Sequence, residues 1–203
     1  MSKKTKSESI RKEHPLTRFM QNLGNVETVN PGVRVILEPF LSHINVRGNP
    51  NDLRFKATLS SALSCEIPSA NRVVRSEHCV YWLGPSEFLI VSRDPGQHLV
   101  DQLNHALAGQ HAAVTNLSGG QLMMSVTGSS SRRFLSKAST LDLHESVFTS
   151  DHCAQSTFAK ASALYAVRSE GPVFELIVRR SFADYIAKWM SYAGEEFGIV
   201  FDE

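Results

Sequence analysis

The sequence predicts an α+β protein made of a duplicated ββαββα unit, giving two related lobes of mostly antiparallel sheet covered by helices. Three observations predict it. Short apolar runs bounded by Gly and Pro alternate with amphipathic stretches of helical period. The order of these runs repeats, once over about 31–109 and again over about 110–198. Corresponding breaks carry the same turn residues, Gly48 with Gly128 and Gly84-Pro85 with Gly171-Pro172.

Taken in order, the first unit reads as strands over 33–38 and 44–47, a helix over 50–63, a hairpin over 79–92 and a helix over 95–108. The second reads as strands over 113–117 and 122–127, a helix over 130–139, a hairpin over 163–179 and a helix over 182–193. Asn49 before Pro50 is the expected start of the first helix, and Ser129 or Ser130 that of its counterpart. Each hairpin ends in an apolar strand, Phe88-Leu89-Ile90-Val91 in one and Phe174-Glu175-Leu176-Ile177-Val178 in the other. The helices that follow share a register. Leu99, Val100, Leu103 and Leu107 have the spacing of Tyr185, Ile186, Trp189 and Ala193, as expected of stripes facing a core. Ser181 with Asp184 suggests a capping box at the start of the last helix. Gly119-Gly120 reads as the turn of a hairpin joining 114–118 to 122–126.

Residues 1–30 read as an extended arm, basic at Lys3, Lys4, Lys6, Arg11 and Lys12, with an apolar patch at Leu16, Phe19, Met20 and Leu23; it is either a solvated tail or a segment that orders when the patch docks on a partner. Residues 199–203 read as a tail. The chain has 21 Lys plus Arg against 20 Asp plus Glu, a net charge of +1, so no general attraction to nucleic acid or to an anionic membrane is expected. Apolar runs are strand-sized, well short of the roughly 20 residues that span a bilayer. The basic, polar start lacks the apolar stretch of a secretory signal. Three widely spaced cysteines, Cys65, Cys79 and Cys153, fit buried reduced thiols. A cytoplasmic location is the expectation.

Catalysis would need a nucleophile beside a base, matched carboxylates or a metal cluster. The eight histidines show no zinc-helix spacing; His98 and His105 are merely two turns apart on one helix. His152 and Cys153 are neighbours on an extended stretch, so they point to opposite faces. The run Gly128-Ser129-Ser130-Ser131-Arg132-Arg133 enters a helix and could hold an anion, though capping explains its serines equally well. No catalytic, cofactor-binding or metal residue is assigned. Candidate partner contacts are Leu16, Phe19, the polar cluster Asp142 and His144 with Phe148, and Arg180 at a strand-to-helix junction, where a guanidinium suits a partner's carboxylate.

Several pieces stand in the order of a known family. They are His14-Pro15-Leu16 with Phe19, Ile44-Asn45-Val46-Arg47-Gly48-Asn49-Pro50, Trp82-Leu83-Gly84-Pro85-Ser86-Glu87-Phe88-Leu89, and Leu117-Ser118 leading to Val126-Thr127-Gly128. Leu141-Asp142-Leu143-His144 with Phe148, and Arg180-Ser181-Phe182-Ala183 with Tyr185 and Trp189, complete the set. Together they resemble the gamma subunit of heterotetrameric sarcosine oxidase, a family that shares the fold of the folate-binding domain of glycine-cleavage T-proteins. The chain departs from that pattern at Asn116, where an Asp is usual, and at Gln155 and Ser156, where a basic residue is usual.

The resemblance implies a structural, non-catalytic subunit beside alpha, beta and delta subunits. The complex would demethylate sarcosine to glycine with oxygen and tetrahydrofolate, releasing hydrogen peroxide and methylenetetrahydrofolate. FAD, FMN, NAD and zinc would belong to the other subunits. Alternatives are the equivalent subunit of an N-methylglutamate dehydrogenase-type complex, a stand-alone folate-dependent aminomethyl transferase, or a module binding an anion or RNA. The transferase would need a buried acid contacting the pterin ring and a lobe interface open enough to admit folate; no carboxylate stands in a position that suggests it, and Asn116 replaces one candidate.

Overall fold

Alternation along the apolar strands decides the layering. Phe88 and Ile90 point to one face and Leu89 and Val91 to the other, yet all four are buried, so this strand has protein on both sides. The computed structural model describes residues 13–23, 29–168 and 173–203. The basic residues at 3–12 and the Gly171-Pro172 turn lie outside the described residues.

The elements are α1 (Thr17–Leu23), β1 (Arg34–Leu37), β2 (Ser42–Gly48), α2 (Leu53–Leu63), β3 (Val73–Arg75), β4 (Cys79–Gly84), β5 (Glu87–Ser92), α3 (Gly96–Ala106) and β6 (Ala112–Asn116). There follow β7 (Gln121–Thr127), α4 (Ser131–Ser136), β8 (Cys153–Phe158), β9 (Ala161–Arg168), β10 (Val173–Arg179), α5 (Ala183–Gly194) and β11 (Val200–Asp202). They form a six-stranded sheet in the order β11-β1-β7-β10-β9-β8 and a five-stranded sheet in the order β3-β4-β5-β2-β6.

The two sheets face each other and the helices cover their outer faces. Phe55, Leu59 and Leu63 of α2 with Leu99, Val100 and Leu103 of α3 pack on Ile44, Val46, Phe88 and Ile90. Phe134 and Leu135 of α4 with Ile186, Ala187 and Met190 of α5 pack on Met124, Val126, Phe174 and Leu176. Between the sheets lies a third apolar cluster that includes Tyr81, Leu89, Val91, Met123, Cys153, Leu164 and Ile177. The expected stripe of α3 therefore faces a core, and that of α5 does so through Ile186, Met190 and Ala193, whereas Tyr185 is exposed; the odd residues of β5 turn inward between the sheets and the even ones outward.

The duplication is visible in the strand order, because β6-β2-β5-β4-β3 matches β1-β7-β10-β9-β8 unit for unit. It comes with an exchange. β1 lies in the sheet of the second unit, against β7, and β6 lies in the sheet of the first, against β2. The hairpin expected across Gly119-Gly120 therefore does not form. Ser118–Gly120 is a single 3-10 turn that carries the chain from one sheet to the other. Local sequence cannot distinguish these outcomes, since two short alternating strands around a Gly pair suit a hairpin and a crossing equally.

Other local expectations shift for physical reasons. The first helix begins three residues later than expected, because Asp52 rather than Asn49 accepts from the Arg54 and Phe55 amides; Asn49 instead turns its own loop by accepting from the Asn51 amide. Neither Ser130 nor Ser181 caps by its side chain, and Asp184 pairs with Lys188 one turn along at 2.8 Å. The stretch expected to be an extended arm is helical at Thr17–Leu23, and Leu16 is fully buried beside β1 and β7 residues. The expected tail adds β11, parallel to β1. Strands β3, only three residues long, and β8, largely polar, escaped notice because neither offers a long apolar run.

The equivalent glycines Gly48 and Gly128 end equivalent strands, β2 and β7, for different reasons. A Cβ on Gly48 would overlap the Phe55 ring, so here the constraint is close packing. Gly128 has φ +110°, and a Cβ there would also meet the Gly32 carbonyl. Gly128→Ala is expected to lower stability by roughly 2–4 kcal/mol in urea unfolding, with an unchanged denaturant slope. An equally stable variant would show that the β7-to-α4 corner tolerates a side chain.

Candidate functional site

Strand β10 is interior to its sheet, between β7 and β9, and its odd positions face the opposite sheet. One of those positions is Glu175, 1% exposed. An ionised carboxylate in such a place costs several kcal/mol unless it is paired and hydrogen-bonded. Its partners come from three strands. Arg75 of β3 reaches across from the other sheet and donates bidentately, Nη1 to Oε1 at 2.9 Å and Nη2 to Oε2 at 2.7 Å. Tyr81 of β4, also from the other sheet, donates its hydroxyl to Oε2 at 2.7 Å. Arg168 of β9 donates Nε to Oε1 at 2.7 Å.

The cluster extends at both ends. Arg168 Nη2 donates to Glu38 Oε1 at 3.2 Å, and Ser125 Oγ donates to the same oxygen. Arg75 Nε donates to Asp151 Oδ1 at 3.2 Å, and its guanidinium stands 5.8 Å from the centre of the Tyr81 ring. Burial raises the pKa of Glu175, but the hydrogen bonds and charge of Arg75, with those of Arg168 and Tyr81, outweigh it and hold the carboxyl below its ordinary value. Burial pushes the Tyr81 hydroxyl well above its ordinary value, so it remains a donor.

Each Glu175 oxygen accepts two hydrogen bonds, which fills the lone-pair capacity of a carboxylate. It has nothing left for a proton, a metal or a ligand; its chemistry is to bind one sheet to the other. Cys153, nearby on β8, donates its thiol to the Arg72 carbonyl at 3.2 Å, and burial raises its pKa to about 11, so thiolate is scarce at neutral pH. His152 is turned away, with Nδ1 accepting from the Thr149 amide at 2.9 Å. Cys153 is buried as expected, whereas Cys65 and Cys79 are half-buried. Among the described residues no group of three or more His, Cys, Asp or Glu could hold a metal ion.

The residues expected at a partner surface are not brought together. Leu16 and Phe148 are in the core of their own chain, at 0% and 6% exposure, and are not available as contacts. Phe148 is buried because its backbone carbonyl and that of Leu143 take Arg132 Nη1, which draws the 141–148 loop onto α4. Arg132 also stands 5.0 Å from the centre of the Phe174 ring, so it braces the loop. Phe19 is half-buried, edge-on to Phe201 at 5.1 Å. Asp142 and His144 are exposed, joined by the His144 amide donating to Asp142 Oδ1 at 2.9 Å, and line an open cavity of about 700 Å³ with Arg133 and Lys137. Arg180 is exposed at a second cavity.

Glu175 was missed, although it could have been found: it is the one charge inside the apolar run of 174–178. Arg75, Arg168 and Tyr81 carried no such signal, because only the pairing of distant strands places them. Glu175→Gln should cost about 3–5 kcal/mol at pH 7, since it removes the buried carboxylate that two guanidinium groups share and leaves them only their outer partners, Asp151 and Glu38. A carboxyl held low in the folded state contributes stability that is full above its unfolded pKa and is lost as pH falls through the folded value. The gap between the native chain and the variant, read by urea unfolding at a series of pH values, should therefore be constant above about pH 5 and close below pH 4. A gap independent of pH would show that Glu175 does not hold the sheets by its charge.

The comparisons with known proteins agree with this geometry. Residues 47–196 match the family described as sarcosine oxidase, gamma subunit. The chain is 26% identical over 161 residues to sarcosine oxidase subunit gamma of Corynebacterium sp. strain U-96, covering 78% of this chain and 77% of that protein. Among solved structures, it is similar to a chain of the heterotetrameric sarcosine oxidase of Corynebacterium sp. U-96 in complex with pyrrole 2-carboxylate. There the TM-score is 0.83 at 23% identity, over 93% of this chain and 97% of that one. It is also similar to the glycine cleavage system aminomethyltransferase T of Bartonella henselae, with a TM-score of 0.61 at 13% identity, over 85% of this chain and 48% of that one. Both show the fold, two antiparallel sheets with helices outside. The chain belongs to the sarcosine oxidase gamma subunit family.

Proposed function

We propose that the chain is the gamma subunit of a heterotetrameric sarcosine oxidase and supports the assembly without a catalytic centre of its own. The observation that carries this reading is the family match over most of the chain, backed by a fold that covers almost all of the corresponding Corynebacterium chain. The complex would demethylate sarcosine to glycine with oxygen and tetrahydrofolate. FAD, FMN, NAD and zinc would be held by the alpha, beta and delta subunits, as the family resemblance implies.

The saturation of Glu175 supports the non-catalytic part. A stand-alone folate-dependent transferase would need a buried acid free to contact the pterin ring, and both oxygens of buried Glu175 are taken by Arg75, Arg168 and Tyr81. The raised Cys153 thiol supports it as well, because a nucleophile needs the opposite shift. No helix among the described residues is long and apolar enough to cross a membrane.

An affinity-tagged chain, expressed in its native host, should retrieve a yellow complex of four different subunits that produces hydrogen peroxide from sarcosine. The tagged chain purified alone should show no sarcosine-dependent peroxide. Recovery of the chain alone, or turnover by the isolated chain, would overturn the proposal.

A further inference from the structure

Helix α5 buries Ala183, Ile186, Ala187, Met190 and Ala193 against its sheet, and the outer side of such a helix is ordinarily polar. On α5 one flank of that outer side is polar and the other is aromatic. Asp184 and Lys188 pair with each other on the first, both well exposed. Along the second run Phe182, Tyr185, Trp189 and Tyr192, at intervals of three, four and three residues, so that each ring neighbours the next.

The file is held from beneath. The Trp189 ring meets Phe158 of β8 edge-on, 5.0 Å between centres, and stands 6.1 Å from Phe134 of α4. Tyr185 Oη accepts the Lys160 amide, in the turn between β8 and β9, at 3.3 Å. Much of the file is uncovered nonetheless: Phe182 is 39%, Tyr185 37% and Tyr192 79% exposed. An aromatic side chain carries about 150–250 Å² of surface, so these three leave on the order of 300 Å² open to solvent. Positioned aromatic rings are the side chains that dominate binding energy where proteins meet.

Charge and shape decide what can cover the file. Asp184 and Lys188 are the two charged residues of α5 and neutralise each other, whereas a helix that meets an anionic membrane or a nucleic acid is basic. The helix stands as a ridge on the outer face of its sheet. Two copies meeting ridge to ridge would touch along a line and bury little beyond the file, well below the roughly 800 Å² a side of a stable pair. A larger partner with a concave face can wrap the ridge and reach that area. Tyr185 Oη, already an acceptor, keeps its proton for an acceptor outside the chain.

We infer that the aromatic file of α5 docks into a concave, uncharged and mainly apolar face of a larger subunit, which offers a carbonyl oxygen to the Tyr185 hydroxyl. This rests on the assembly proposed above and names the surface by which the chain enters it.

The test uses the affinity-tagged full-length chain in its native host. The native chain and Leu53→Glu, a like change at a residue of α2 that is 82% exposed, should retrieve the flavin-carrying subunits equally. Tyr192→Glu should retrieve at least tenfold less. In case that variant folds poorly, nitration of tyrosines in the native protein, read by mass spectrometry, gives a second reading. Tyr192 should react at least tenfold more slowly in the complex than in the purified chain. Retrieval by Tyr192→Glu equal to that of the native chain, an equal loss in Leu53→Glu, or nitration of Tyr192 at one rate in both states would overturn the inference and leave the assembly standing. Dimers of the purified chain that Tyr192→Glu separates would overturn it in favour of a second copy. A native chain that retrieves no complex would overturn the proposed assembly, and the inference with it.

Discussion

A carboxylate buried between two sheets sets the terms for the rest of this structure. Glu175 sits on one sheet, and two of its three partners, Arg75 and Tyr81, sit on the other. The apolar contacts between the sheets are non-directional and would permit sliding. The bidentate guanidinium does not, because its planar fork meets both oxygens in one orientation only. The ion cluster therefore fixes the relative position of the two layers, and the apolar cluster around Leu89, Ile177 and Leu164 keeps water from Glu175 and Tyr81 at its centre, while Arg168 at its rim is 41% exposed. Keeping water from the centre strengthens the bonds made there.

The exchange of edge strands adds a second tie of a different kind. Because β1 and β6 each pair in the sheet of the other unit, neither unit can close its sheet alone. The two lobes share ladder hydrogen bonds as well as an interface, which is the physical basis for expecting them to unfold together. The exchange also forces the chain to cross between layers twice, at 38–41 and 117–120. Backbone that crosses between sheets cannot pair along its length, and this is where the fold leaves its second cavity.

A scaffold of this kind is consistent with the structural role proposed for the chain. The deepest ionisable groups are committed to one another, the cysteine between the sheets is held as a thiol, and the arginines of 132 and 133 are engaged with the loop and ring beside them. What remains at the surface is varied, with Asp142 and His144 together at one cavity, Arg180 and exposed Phe40 at another, and exposed apolar side chains such as Leu53 and Tyr192 elsewhere. The likeness to an aminomethyltransferase shows the same scaffold in a protein of another name, so the fold does not by itself decide the chemistry.

Period and punctuation were enough to determine the fold class, the repeat and both long helices, because a helical stripe or a two-residue alternation is a local property that packing must obey. The equivalence of Gly48 and Gly128 was legible for the same reason. Only the tertiary structure decided which sheet each strand joined, since β6 and β7 look like a hairpin to any local reading and part company through partners 48 to 72 residues away. It likewise decided that Leu16 and Phe148 serve the core, and that Glu175 meets Arg75 across 100 positions of sequence. Burial and charge pairing depend on what distant strands bring to the same place, and that is information no single stretch of the chain contains.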